Sequence, residues 1–86
     1  RKGEVVAMTK LNNMNAELLE FKVTSSSKVC DKKIKDIDLP RSAVIGGVIR
    51  DDEGLIALGD FEIKNGDHIV ICCLPQSINK VEKLFV

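Results

Sequence analysis

The sequence predicts an α+β fold: a small mixed or antiparallel sheet with a short helix after the first long strand and a helix at the C-terminus. Three observations lead there. Residues 16–24, 43–50 and 68–74 are runs in which apolar residues alternate with polar ones or cluster with β-branched neighbours, as strands do. Turn-forming stretches, Asp51-Asp52-Glu53-Gly54 and Lys64-Asn65-Gly66-Asp67, stand between the later runs. The strands are also far shorter than those of a parallel fold with helical crossovers.

Taken in order, residues 1–15 read as a connection that contributes one short strand from Val5 to Met8 and then a loop at LNNMN, where asparagines interrupt any pattern. From Ala16 to Thr24, Leu19, Phe21 and Val23 fall on one side of a strand and Leu18, Glu20, Lys22 and Thr24 on the other. Ser25-Ser26-Ser27 supplies a polar loop whose hydroxyls can bond nearby backbone. Asp31 is placed to cap a helix of at most two turns, in which Ile34 and Ile37 share a face. Leu39-Pro40 ends it, because proline lacks a backbone donor and disfavours helix at the residue before it.

Ala43 to Arg50 then reads as a strand interrupted by Gly46-Gly47, which suits a bulge or the close approach of another backbone. Asp51 to Gly54 is expected to turn the chain, with Gly54 taking a positive φ, and Leu55 to Leu58 to return as a strand. Gly59-Asp60 turns again. His68 to Leu74, apolar on both faces, is expected to be the central strand. Pro75 fits the first turn of a terminal helix, whose stripe is Ile78, Val81, Leu84 and Phe85.

Composition narrows the function. The chain has 86 residues, enough for one domain, with 13 basic and 13 acidic residues, so it lacks the positive field that nucleic acid requires. Tyrosine and tryptophan are absent and the rings are Phe21, Phe61 and Phe85, which removes a base-stacking platform. Cys30, Cys72 and Cys73 form no metal-binding spacing and read as reduced thiols. No apolar run is long enough for a membrane span, so no direct membrane insertion is expected. Asp36, Asp38, Asp51, Asp52, Asp60 and Asp67 fall in turns or at element ends, and no nucleophile has a base at catalytic spacing, so an enzyme is not expected. Because the first residue is Arg1, the chain reads as a piece of a longer polypeptide.

The stretches AELLEFKV, KIKDIDLPRSAVIGGVIRD and LGDFEIKNGDHIVICC resemble, in order and spacing, the TrkA C-terminal domain, also called the RCK C-terminal domain. The resemblance covers roughly residues 16–86. It implies a cytoplasmic regulatory module, peripheral to the inner face of the membrane, of a potassium or other cation transport system. Residues 1–15 would then be the link from an upstream Rossmann-type domain that is not in this chain, and NAD or ATP would belong to that domain.

The resemblance also implies a homodimer, which reaches a membrane potassium-translocating subunit through the full-length protein. In some members the groove between the paired domains takes cyclic di-AMP. Carried over, that groove places Ile34, Ile37, Asp38, Leu39 and Arg41 at the ligand, with Arg41 facing a phosphate because its planar fork suits that group. Members that hold cyclic di-AMP have an asparagine where this chain has Gly46-Gly47, and their histidine on the later hairpin has no counterpart at His68. The alternative is a ligand-free structural dimerisation domain of a different transporter, an antiporter or an anion or amino-acid carrier.

Overall fold

In the computed structural model, which describes residues 5–10 and 15–86, the elements are β1 (Val5–Lys10), β2 (Glu17–Lys22), β3 (Ala43–Arg50), β4 (Glu53–Leu55), β5 (His68–Cys73) and a C-terminal helix α1 (Ile78–Lys83). Residues 1–4 and most of the expected LNNMN loop lie outside the described residues. The strands form one five-stranded sheet in the order β1-β2-β5-β3-β4. Each of these pairings is antiparallel, so the expectation of a small antiparallel sheet is met. The most apolar strand, β5, lies in the middle, between β2 and β3.

Pleating sends alternate residues to opposite faces, and one face carries the core. Leu19 and Phe21 of β2, Ile69, Ile71 and Cys73 of β5, and Val48 of β3 are buried together with Val23, Val29, Ile63, and Val81 and Phe85 of the terminal segment. The rings of Phe21 and Phe85 stack 4.4 Å apart and within 4° of parallel. The Ser27 hydroxyl accepts a bond from the Thr24 amide and donates to the Phe85 carbonyl at 3.3 Å, so the serine loop closes this corner as its composition suggested. On the other face Leu18, Val70 and Cys72 are only half-buried and Val44 is 59% exposed. β5 is thus central and apolar on both faces, as expected, and α1 with its neighbouring loops covers one of them.

The bulge expected at Gly46-Gly47 is present and does something specific. Pairing passes from Ile45↔Ile71 to Gly47↔Val70, leaving Gly46 as the extra residue. Without it Ile45, Gly47 and Ile49 would share a face; with it, Val48 takes the core side and Arg50 follows it.

Four local expectations are corrected. Asp31 caps no helix; it sits at φ 67° and pairs with Lys64 at 3.2 Å. Beyond it the chain makes a single 3₁₀ turn, Ile34–Asp36, rather than two helical turns, because residues 31–35 spend their backbone groups on residues 59–63 through bonds such as Asp31 N to Ile63 O and Ile34 N to Phe61 O. In the β3–β4 hairpin it is Asp51 and Asp52, at φ 51° and 64°, that take the positive φ, not Gly54. This two-residue turn matches the right-handed twist of its strands, and aspartate tolerates that conformation. The return strand is consequently Glu53–Leu55, not Leu55 to Leu58.

Arg50, carried to the core side by the bulge, meets Asp67. Its Nε and Nη2 donate to the two carboxylate oxygens at 2.8 and 2.7 Å, and Nη2 also donates to the Glu62 carbonyl at 3.0 Å. Its guanidinium carbon lies 4.7 Å from the centre of the Phe61 ring. Asp67 is 1% exposed and accepts a further bond from the Lys64 amide at 2.8 Å. Its own carbonyl receives the Val23 amide, and the Gly66 amide donates back to the Val23 carbonyl. Burial alone would raise the Asp67 pKa, but the Arg50 bonds, the Lys64 amide and the positive charge together hold it below the ordinary 3.8.

This corner can be tested by substitution. Gly66 adopts φ 92°, so Gly66→Ala should lower stability by about 1–2 kcal/mol. Gly54→Ala, where an added Cβ meets nothing within 4 Å, should not destabilise; urea midpoints compare the two. Because the Asp67 pKa is depressed on folding, its contribution is complete above the unfolded value near 4 and is lost as pH falls through the folded value. Asp67→Asn should therefore cost about 2 kcal/mol at pH 7 and show a smaller loss of stability between pH 5 and about pH 2, read as urea midpoint against pH.

Candidate functional site

The loop that carries the expected site residues is braced at both ends. On its entry side, Lys33 bridges Glu62 and the Lys35 amide donates to the Gly59 carbonyl. On its exit side the Ala43 amide donates to the Pro40 carbonyl, closing a turn that delivers the chain into β3. The Leu74 amide donates to the Ser42 carbonyl, and the hydroxyls of Ser42 and Ser77 are in contact. Ile34 and Ile37, three residues apart on the 3₁₀ turn and its cap, both pack against the core and stay half-buried. Asp38 and Arg41 are exposed and Leu39 is half-buried. The structure thus sets the five residues on one continuous loop, with the two isoleucines turned inward and Arg41 at the far end.

Arg41 borders a depression of about 180 Å³ whose other walls include Val44 and Cys72. Among the described residues it makes no ion pair. The neighbouring depression on the open sheet face, about 350 Å³, is floored by Gly46, Gly47 and Gly54 and walled by Leu18, Ile49, Ile56 and Val70. A third, of about 380 Å³, is lined by Glu20, Ile49, Asp51, Asp52, Gly66 and His68. They follow one another in the direction of β3, from Arg41 through an apolar middle to an acidic end.

Sequence reasoning named Arg41 but missed the rest of this surface. Glycines in a strand suggested a bulge and a close approach, whereas the floor they make is shaped by β4 and β5 as much as by β3. Nothing in the spacing of Glu20, Asp51 and His68 places them together, since they come from β2, a turn and β5.

His68 lies 2.6 Å from Glu20 through its Nδ1 and faces no hydroxyl or thiol within hydrogen-bond reach among the described residues. Among them, too, no group of three or more His, Cys, Asp or Glu is placed to share a metal ion. All three cysteines are free thiols. Burial pushes the Cys73 thiol up, aided by the nearby Glu17 and Cys72. No helix of the described residues is long and apolar enough to cross a membrane.

With this geometry in hand, comparison with known proteins gives four findings. The model of the TrkA-C domain family matches residues 18–86. The Trk system potassium uptake protein TrkA of Halomonas elongata is 39% identical over 89 residues, which cover 99% of this chain and 20% of that protein. Trk system potassium uptake protein TrkA homolog 2 of Methanosarcina mazei is 32% identical over 81 residues, 94% of this chain and 18% of that protein. The chain thus spans about a fifth of the length of these curated relatives. A solved structure described as an RCK domain with cda superposes with a TM-score of 0.69 at 14% identity, over 80% of this chain and 97% of that one. At that identity the likeness is one of fold.

The thiols supply a direct check on which sheet face is open. Cys73 points into the core while Cys72 and Cys30 are partly exposed, and the thiolate is the reactive form. Native protein treated with iodoacetamide at pH 8 should be modified last at Cys73, by at least about tenfold in rate given its burial and raised pKa. Urea should bring the three thiols to similar rates, as followed by peptide mass mapping.

Proposed function

Since this chain belongs to the TrkA-C domain family, we propose that it is a regulatory domain of a potassium or other cation transport system. In this reading it works in the cytoplasm at the inner face of the membrane, with no catalytic role. It pairs with a second copy and takes a small ligand beside Ile34, Ile37, Asp38, Leu39 and Arg41. Residues 1–15 join it to an upstream nucleotide-binding domain, and the membrane potassium-translocating subunit is reached through the full-length protein. The names of the relatives, potassium uptake proteins, support the transport system. The solved structure of similar fold, described as an RCK domain with cda, supports a small ligand for this domain.

The observation that carries the reading is the loop itself: a braced backbone presents half-buried apolar side chains and, at its end, an exposed Arg41 with no ion pair among the described residues. Isoleucine surface suits the flat face of a base, and a guanidinium suits a phosphate in a bidentate grip. Such a ligand regulates by binding one arrangement of the paired domains better than another, because equal affinity for both shifts nothing.

One observation favours a second reading, a ligand-free pairing domain of a different transporter such as an antiporter or an anion or amino-acid carrier. Ile34 and Ile37 already spend part of their surface on the core. Thermal denaturation separates the two readings. Cyclic di-AMP at about 100 times its dissociation constant should add about 2.7 kcal/mol of stability, a rise of roughly 10 °C or more for a domain of this size. Arg41→Gln should reduce that rise sharply without lowering the unliganded midpoint. A flat response to cyclic di-AMP, other cyclic dinucleotides and adenine nucleotides would establish the ligand-free reading instead.

A further inference from the structure

We infer that Ser77 is a positioning residue for the Arg41 site: its buried hydroxyl, set against that of Ser42, fixes the turn that presents the guanidinium. The inference rests on the proposed ligand at Arg41 and goes beyond it, because Ser77 lies outside the loop and is not among the walls of the depression there.

Ser77 stands where a serine ordinarily caps a helix, directly before Ile78, the first residue of α1. At such a position the hydroxyl usually accepts a bond from an amide two or three residues on. This one makes no such bond. Its backbone, at φ −99° and ψ −7°, is already helical, because a 3₁₀ turn over Pro75–Ser77 leads straight into α1. Within that turn the Ser77 amide donates to the Leu74 carbonyl at 2.9 Å, and the Ile78 amide donates to the Pro75 carbonyl. The hydroxyl is left free of capping and meets the Ser42 hydroxyl instead. At 3% exposure Ser77 has little access to water, and a buried hydroxyl without a partner is costly. Among the described residues no buried side-chain oxygen or nitrogen lacks a partner, and here Ser42 is that partner.

Ser42 is the neighbour of Arg41, and the terminal segment holds it through both backbone and side chain. The Ala43 amide donates to the Pro40 carbonyl at 3.1 Å, which makes Arg41 and Ser42 the central residues of one turn. The Leu74 amide grips the Ser42 carbonyl at 2.9 Å, and the Ser77 hydroxyl grips its side chain. Leu74 opens the 3₁₀ turn that Ser77 ends, so both grips come from one short piece of chain. Arg41 is exposed and makes no ion pair among the described residues, so no charged partner of its own sets its direction. The turn does. A bidentate hold on a phosphate depends on the angle of the guanidinium plane, and a group that steadies the turn therefore counts in affinity. Without the Ser77 hydroxyl the backbone bonds at Ser42 and Ala43 remain, so the chain folds and the turn is held less firmly.

Isothermal titration of cyclic di-AMP into the 86-residue chain, with circular dichroism confirming the fold of each variant, tests the assignment. Ser77→Ala should weaken binding about tenfold, as small displacements of a gripping group do. In an Arg41→Gln background the same change should alter the dissociation constant by less than about twofold, because the group that Ser77 positions is gone. Asp67→Asn, which loosens the far end of β3, should lower stability yet keep the affinity within about twofold of the unsubstituted chain. A merely structural Ser77 would behave like it. Amide hydrogen exchange reads the turn without ligand: Ser77→Ala should speed exchange at Leu74 and Ala43 at least about tenfold more than at Leu19 and Phe21 in β2. An unchanged affinity in Ser77→Ala, or an equal loss with and without Arg41, would overturn the positioning role. An unsubstituted chain with no affinity for cyclic di-AMP would overturn the ligand reading instead; a selective rise in exchange at Leu74 and Ala43 would still uphold Ser77 as the residue that holds the turn, and a uniform rise would overturn that too.

Discussion

The bidentate contact between Arg50 and Asp67 joins more of this chain than any other side-chain contact among the described residues. Through the arginine it holds the end of β3, the Glu62 carbonyl and the ring of Phe61. Through the aspartate it holds the Lys64 turn, the start of β5 and, by the backbone, the end of β2. A carboxylate that is 1% exposed could not stay ionised without such partners. The contact in turn depends on two backbone features. The Gly46 bulge brings Arg50 to the core side, and Gly66 at φ 92° lets the chain turn tightly enough to aim Asp67 at it.

Among the described residues the sheet is covered on one face only. A short C-terminal helix and the loops around Val29 and Ile63 are enough to close one layer of aliphatic core. They are not enough to close a second. Antiparallel sheets usually place polar residues on their open face, whereas here Leu18, Val44, Val70 and Ile56 remain there. Apolar surface of that kind on a small domain is the surface that the proposed pairing of two copies would cover. The charged ends, Arg41 at one and Asp51 with Asp52 at the other, give it a direction.

Much of the candidate loop could be foreseen from Leu39-Pro40 and the Ile34, Ile37 spacing, because proline and local periodicity act within a few residues. Its detailed form could not. Asp31 has the side chain of a cap and uses it elsewhere, since the backbone around it pairs with residues 59–63, which lie about thirty positions away. The same limit applies to Gly54: sequence convention gives the positive φ of a turn to glycine, yet the register set by β3 and β5 ends the hairpin at Arg50↔Glu53 and leaves Asp51 and Asp52 to adopt it.

By itself the sequence determined the class of fold, the central place of His68–Cys73, the buried side of β2, the turn at Asn65-Gly66 and the absence of a charge excess. Each rests on alternation, apolar runs, turn residues or composition, and apart from the last these are properties of neighbours along the chain. Only the tertiary structure decided that Arg50 would meet Asp67, that His68 would meet Glu20, and that one face of the sheet would stay open between a basic and an acidic end. Those outcomes depend on which strands stand side by side and on a one-residue shift at Gly46, and pairing between distant segments is set by the packing of the whole chain.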